Sequence, residues 1–174
     1  MSTLHFCGLL SVLLLSRCAA RTEDAMYVLP DGFEGNAVVL FDQPGGVRPE
    51  YSAGYRVYRI PRSGILKSAF KADHGGFAAI KFCYASRFRG LSATPKAAYL
   101  PYVNALNPAT TEVAPTAVVA FNNIPFGQGD INGEVFSVSR VAKADSLFEH
   151  REDLTEQALP PFPPDDSLTA TPYH

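Results

Sequence analysis

Cys18, Cys83 and the adjacent pair Asp73–His74 are the residues whose types suggest chemistry first. A cysteine directly behind an apolar run can be acylated. A free thiol is a nucleophile when a base stands beside it, and no such base is identifiable near Cys83. An acid next to a histidine can move protons or hold a metal ion. Each has a plainer reading. Cys83 ends the strand-like run Phe77-Ala78-Ala79-Ile80-Lys81-Phe82-Cys83-Tyr84, which predicts a buried, inert thiol. Asp73-His74-Gly75-Gly76 reads as a solvated loop. His150 and His174 are distant in sequence, and no His-Glu-x-x-His or Gly-x-Ser-x-Gly occurs. Gly127-Gln128-Gly129-Asp130-Ile131-Asn132-Gly133 has glycines but lacks the Gly-Lys-Ser/Thr ending of a phosphate loop. Asp130, Asn132 and Glu134 offer oxygens to a hard cation, yet Phe136 and Val138 follow where further oxygen ligands belong. A plain turn is expected there. No catalytic residue, cofactor or metal is therefore assigned. Tyr51, Tyr55, Tyr58, Tyr84, Tyr99 and Tyr102 are expected to pack their rings and expose their hydroxyls.

Cys18 is the lipidation candidate because of what precedes it. Residues 1–20, MSTLHFCGLLSVLLLSRCAA, hold an apolar block from Leu9 to Leu15 broken only by Ser11. A stable bilayer span needs roughly 20 apolar residues, so the block is too short to cross as a helix. It fits a secretory signal, which is removed on export. Two processing routes remain. Leu15-Ser16-Arg17-Cys18 resembles a bacterial lipobox, with Arg17 where a small residue is usual. Alternatively, cleavage after Ala20 leaves Arg21 as a free amino terminus. The lipid route implies a membrane partner through Cys18, held firmly only if more than one chain is attached.

The remaining residues, 21–174, are one domain's worth. Arg48 to Lys96 holds ten basic residues against Glu50 and Asp73, whereas Ala97 to His174 holds three basic and ten acidic. Such asymmetry can steer a partner, though strands with basic wet faces also produce it. The basic residues are dispersed and match no recognition element, so nucleic acid is not an expected partner. Cys7 lies in the leader and Cys18 is lost or modified. The domain thus has no internal disulfide and must stand on its apolar core.

The elements follow from apolar runs and turn residues. Arg21 to Ala25 reads as a spacer, and Tyr27-Val28-Leu29-Pro30 begins the domain. Asn36 to Phe41 is the clearest strand. Tyr55 to Ile60 and Ile65 to Phe70 flank Pro61-Arg62-Ser63-Gly64, which predicts a hairpin. Phe77 to Tyr84 and Ala98 to Val103 are further strands, with Pro101 marking an edge or bulge. Ala117 to Phe121 and Val135 to Val141 follow, separated by a turn-rich stretch over 122–134. Leu147, Arg151, Leu154 and Ala158 fall at helical spacing and predict a helix over Ser146 to Leu159, capped by Asp145 or Ser146. Pro160-Pro161-Phe162-Pro163-Pro164 ends it and leads into a tail without regular structure. The expected fold is mainly β: an antiparallel β-sandwich of about seven or eight short strands with a short C-terminal helix. The expected divisions are a leader over 1–20, a sandwich over 21–144, and a helix with tail over 145–174.

Tyr27-Val28-Leu29-Pro30-Asp31-Gly32-Phe33-Glu34-Gly35, the strand Val38–Phe41, Gly45-Gly46, and Tyr58-Arg59-Ile60-Pro61-Arg62-Ser63-Gly64-Ile65-Leu66 together resemble a group of uncharacterised bacterial exported domains, many of them on lipoproteins. The layout is also similar to transthyretin-like and carboxypeptidase-regulatory-like β-sandwiches. The resemblance implies export and a lipid anchor, and no activity. The expected role is a non-catalytic protein of the cell envelope, facing the periplasm or outer surface, that serves as a binding or structural module for an envelope partner. A soluble secreted protein is the alternative location. Two other functions stay open: a small exported hydrolase or ligand-binding enzyme using Asp73 and His74, and an assembly or adhesion subunit using a strand edge or the proline-rich tail.

Overall fold

β1 (Asp24–Leu29) leads a computed structural model that describes residues 23–72, 79–103 and 112–159. Alternate side chains of a strand point to opposite faces. Tyr27 and Leu29 enter the main core, and Met26 and Val28 enter a second apolar layer behind it. Both faces are covered, which is why the run reads as continuously apolar. The expected spacer over 21–25 is corrected on this point, because pairing begins at Asp24.

The chain then alternates between two sheets. After β1 come β2 (Gly35–Leu40), β3 (Tyr51–Ser52), β4 (Tyr55–Arg59), β5 (Ile65–Lys67), β6 (Ile80–Tyr84), β7 (Tyr99–Leu100), β8 (Tyr102–Val103), β9 (Val118–Gln128) and β10 (Ile131–Arg140). One sheet has the order β3-β4-β1-β6-β7, the other β5-β2-β10-β9-β8. β1 runs parallel to both β4 and β6, and β2 runs parallel to β5. Elsewhere β2, β9 and β10 pair antiparallel. The fold is mainly β with two mixed sheets, which corrects the purely antiparallel expectation. The cause is the crossing between sheets. No two of β1, β4 and β6 are joined by a direct hairpin: β2 and β3 intervene between the first two, and β5 of the other sheet between the last two.

The expected hairpin over 55–70 is corrected for the same reason. The Pro61–Gly64 turn carries the chain from β4 in one sheet to β5 in the other, where β5 pairs with β2. Gly64 has φ +80°, and a Cβ there would stand 2.6 Å from the Asn36 carbonyl oxygen. Only glycine fits both conditions. Pro101 has an analogous place: β7 before it pairs with β6, and β8 after it pairs with β9. It marks the step between the edges of the two sheets.

The stretch over 122–134 is not a long turn. β9 and β10 continue through it, and the turn is only Gly129–Asp130. Near the C-terminus, a short 3-10 turn over Val141–Lys143 leads directly into α1 (Ala144–Glu149). The helical segment therefore begins before the expected caps. It breaks at His150, with φ −99° and ψ 11°, and resumes as α2 (Arg151–Ala158). Ser146 Oγ bonds back to the Lys143 carbonyl instead of capping a helix. Leu154 and Ala158 pack on Val38, Leu40 and Val135, so α2 covers the outer face of the second sheet. Phe88 and Leu91 cover Met26, Val28, Val57 and Cys83 on the outer face of the first.

Candidate functional site

The two sheets meet over a row of aromatic rings. Register places Tyr58, Tyr27 and Phe82 side by side on three parallel strands. Neighbouring strands lie ~4.8 Å apart. The rings accordingly stack, with centroids 5.2 Å apart for Tyr27 and Tyr58 and 4.8 Å apart for Tyr27 and Phe82. Phe136 of β10 closes on Tyr27 from the other sheet at 4.9 Å, tilted by 55°. Offset and tilted pairs of this kind add to the stability from burial alone.

Glu134 shares the inward face of β10 with Phe136, because the two are one strand period apart. It is 2% exposed and meets the middle ring of the row, Tyr27. The Tyr27 hydroxyl donates to Glu134 Oε1 across the interface between the sheets. Asn123 Nδ2 donates to Oε2 at 3.3 Å. Asn123 reaches inward because the β9–β10 register shifts between Val135 and Ser137. Such a bulge sets an extra residue into one strand and turns its side chains. The Asn123 Oδ1 atom is buried and has no hydrogen-bond partner among the described residues.

Electrostatics follow from this enclosure. Burial pushes the Glu134 carboxyl up to about 7, partly offset by the bonds from Tyr27 and Asn123 and by the charge of Arg56. Burial, then the charge of Glu134, raises the Tyr27 hydroxyl well above the usual tyrosine range. Burial likewise raises Tyr58 and Tyr102. Arg56 loses by its own burial, but its bonds to Tyr58 and Glu23 outweigh this and strengthen its hold on its proton. Its Nη1 also donates to the Lys71 carbonyl at 2.6 Å. The cluster can take up or release a proton. With Tyr27 at 1% and Glu134 at 2% exposure, it gives a substrate no surface to bind.

The residues singled out by sequence divide differently. Cys18, Asp73, His74, His174 and the proline-rich segment lie outside the described residues. Cys83 is a free, buried thiol, and burial pushes it up to about 11. His150 is exposed, 3.4 Å from Asp153. Asp130 lies in the exposed β9–β10 turn, whereas Glu134 points into the core, so the oxygen-rich run does not converge. No grouping of three or more metal-binding side chains occurs among the described residues. Tyr58 is buried, against the expectation of exposed hydroxyls, while Tyr51 is 54% exposed. Sequence reasoning missed the Tyr27–Asn123–Glu134 set. The available signal was parity: Glu134, Phe136 and Val138 alternate on one face once the strand is extended back to Ile131. A second feature is an open groove of about 320 Å³ between α2 and the β9–β10 hairpin, floored by Ile124, Phe126, Val135 and Leu159. No helix among the described residues is long and apolar enough to cross a membrane.

Comparison with curated proteins finds no match. Among solved structures, the chain is similar to a "Putative Lipoprotein from Bacillus anthracis", at 12% identity and a TM-score of 0.43, covering 79% of this chain and 97% of that one. That likeness is too slight to carry even the fold across. Residues 21–86, less than half of the chain, match a family of unknown function, DUF6843.

Proposed function

We propose that the protein is a non-catalytic envelope module, exported by its leader, tethered through Cys18 and acting as a structural or binding element. The observation that carries this reading is the position of β1. Cys18 lies six positions ahead of Asp24, where β1 begins. That length of chain reaches at most ~22 Å, so an anchor there keeps the domain close to the membrane surface. β1 is an interior strand, paired in parallel to β4 on one side and β6 on the other. A pull on its N-terminus loads both ladders in shear. The tether thus joins the domain at a strand bonded along both edges.

The same reading accounts for the sealed polar cluster. Its titratable groups belong to the core and are out of reach of a substrate. Subcellular fractionation of a bacterium expressing the full chain tests the proposal. The protein is expected with the membranes, and Cys18→Ser is expected to abolish that association. A wild-type chain found entirely in the soluble fraction overturns the tether.

A further inference from the structure

We propose that Glu134 is a proton-controlled clasp between the two sheets, strongest when its carboxyl is protonated and weakened at the β9 bulge when it is ionised. Glu134 stands on β10, and its partners lie on different elements: Tyr27 on β1 of the opposite sheet and Asn123 on the neighbouring β9. It therefore ties the sheets together at the point where the β9–β10 register is irregular.

The groups that face it explain why ionisation is costly. Tyr27 on β1 donates one hydrogen bond. Tyr58 on β4 and Tyr102 on β8 are neutral phenols whose ionisation burial disfavours. Arg56 on β4 is the cation acting on it, and that guanidinium is already bonded to Glu23 and to the Lys71 carbonyl. The other inward neighbours, Val39 on β2, Phe82 on β6 and Phe136 on β10, are apolar. An ionised Glu134 is thus a buried anion without a dedicated counter-ion.

The orphaned oxygen of Asn123 supplies the second state. With Glu134 ionised, Asn123 Nδ2 donates to Oε2 and Oδ1 is unpaired. When solvent delivers a proton to Oε2, the carboxyl becomes a donor. A half-turn of the Asn123 amide then brings Oδ1 to accept it, while Tyr27 continues to donate to Oε1. Glutamine at position 134 copies this protonated state, with an N–H where the acid carries its proton.

The sign follows from linkage. In the unfolded chain Glu134 releases its proton in the ordinary carboxylate range, and in the fold it does so at about 7. Its contribution is complete at acid pH, declines as pH rises through that window, and is flat above it. Urea unfolding of the domain at pH 5 and pH 8 tests the clasp. The wild type is expected to unfold with an equilibrium constant on the order of 100-fold larger at pH 8, each unit of separation being worth tenfold. Glu134→Gln is expected to reduce that difference to under tenfold. Equal pH dependence in the two proteins overturns the clasp. Should the variant not fold, the carbon-13 carboxyl resonance of Glu134 in the wild type decides: a midpoint above 6 supports the proposal and one near 4 refutes it. Amide exchange of the wild type gives the location. Protection over 122–126 lost selectively at pH 8 fits the clasp, and uniform protection at both values contradicts it. None of these outcomes depends on the anchor at Cys18.

Discussion

A carboxyl group set among aromatic rings stays buried either by remaining neutral or by keeping donors on its oxygens. Glu134 has donors from Tyr27 and Asn123, and each is individually replaceable. Tyr27→Phe retains the ring stacked on Tyr58 and Phe82 and removes only the O–H. A lost buried hydrogen bond costs about 1–3 kcal/mol. The loss is expected to grow from pH 5 to pH 8, since the missing donor matters most to the ionised form; denaturation of the variant at the two values measures it. Cys83 makes the complementary case. Its surroundings raise the thiol and exclude solvent, so a thiol reagent is expected to leave it unmodified in the folded protein and to label it fully after unfolding in urea. The burial of Cys83 was legible in its apolar run. The burial of Glu134 was not, because a glutamate beside glycines in a polar stretch carries the local composition of a turn. Its face follows only once the strand is extended back to Ile131, so that Glu134 alternates with Phe136 and Val138.

The strands themselves were mostly legible, and their partners were not. Val38 to Phe41, Tyr55 to Ile60 and Ala117 to Phe121 announce strands by β-branched and aromatic content. Nothing in Pro61-Arg62-Ser63-Gly64 says whether the chain folds back within a sheet or crosses to another, since both need a tight turn. The crossing sets the demand on Gly64: a positive φ and a carbonyl 2.6 Å from where a Cβ would stand. Gly64→Ala forces the turn to shift against β2. A cost of about 1–3 kcal/mol is expected, on the scale of other residues held in sparsely populated backbone regions. Thermal unfolding of the variant measures it, and an unchanged midpoint would show that the crossover tolerates a side chain. The helix was legible in its inward residues Leu154 and Ala158, whereas the break at His150 had no sequence signal.

At the scale of the molecule, the fold puts its N-terminal strand inside a sheet and its polar cluster inside the core. The first arrangement suits the proposed tether; the second keeps the titratable groups away from the surface. The proposed leader rests on sequence alone, and Arg17 is the residue on which its outcome turns. Arg17→Gly restores a small residue before Cys18 and is expected to increase the modified fraction, which intact-mass analysis of the purified chain quantifies. The most direct measurement is mass spectrometry of the mature amino terminus after expression in a bacterium. The account predicts a chain that begins at Cys18 and carries a lipid adduct. A chain that begins at Arg21, or that retains Met1 and an unmodified Cys18, contradicts it.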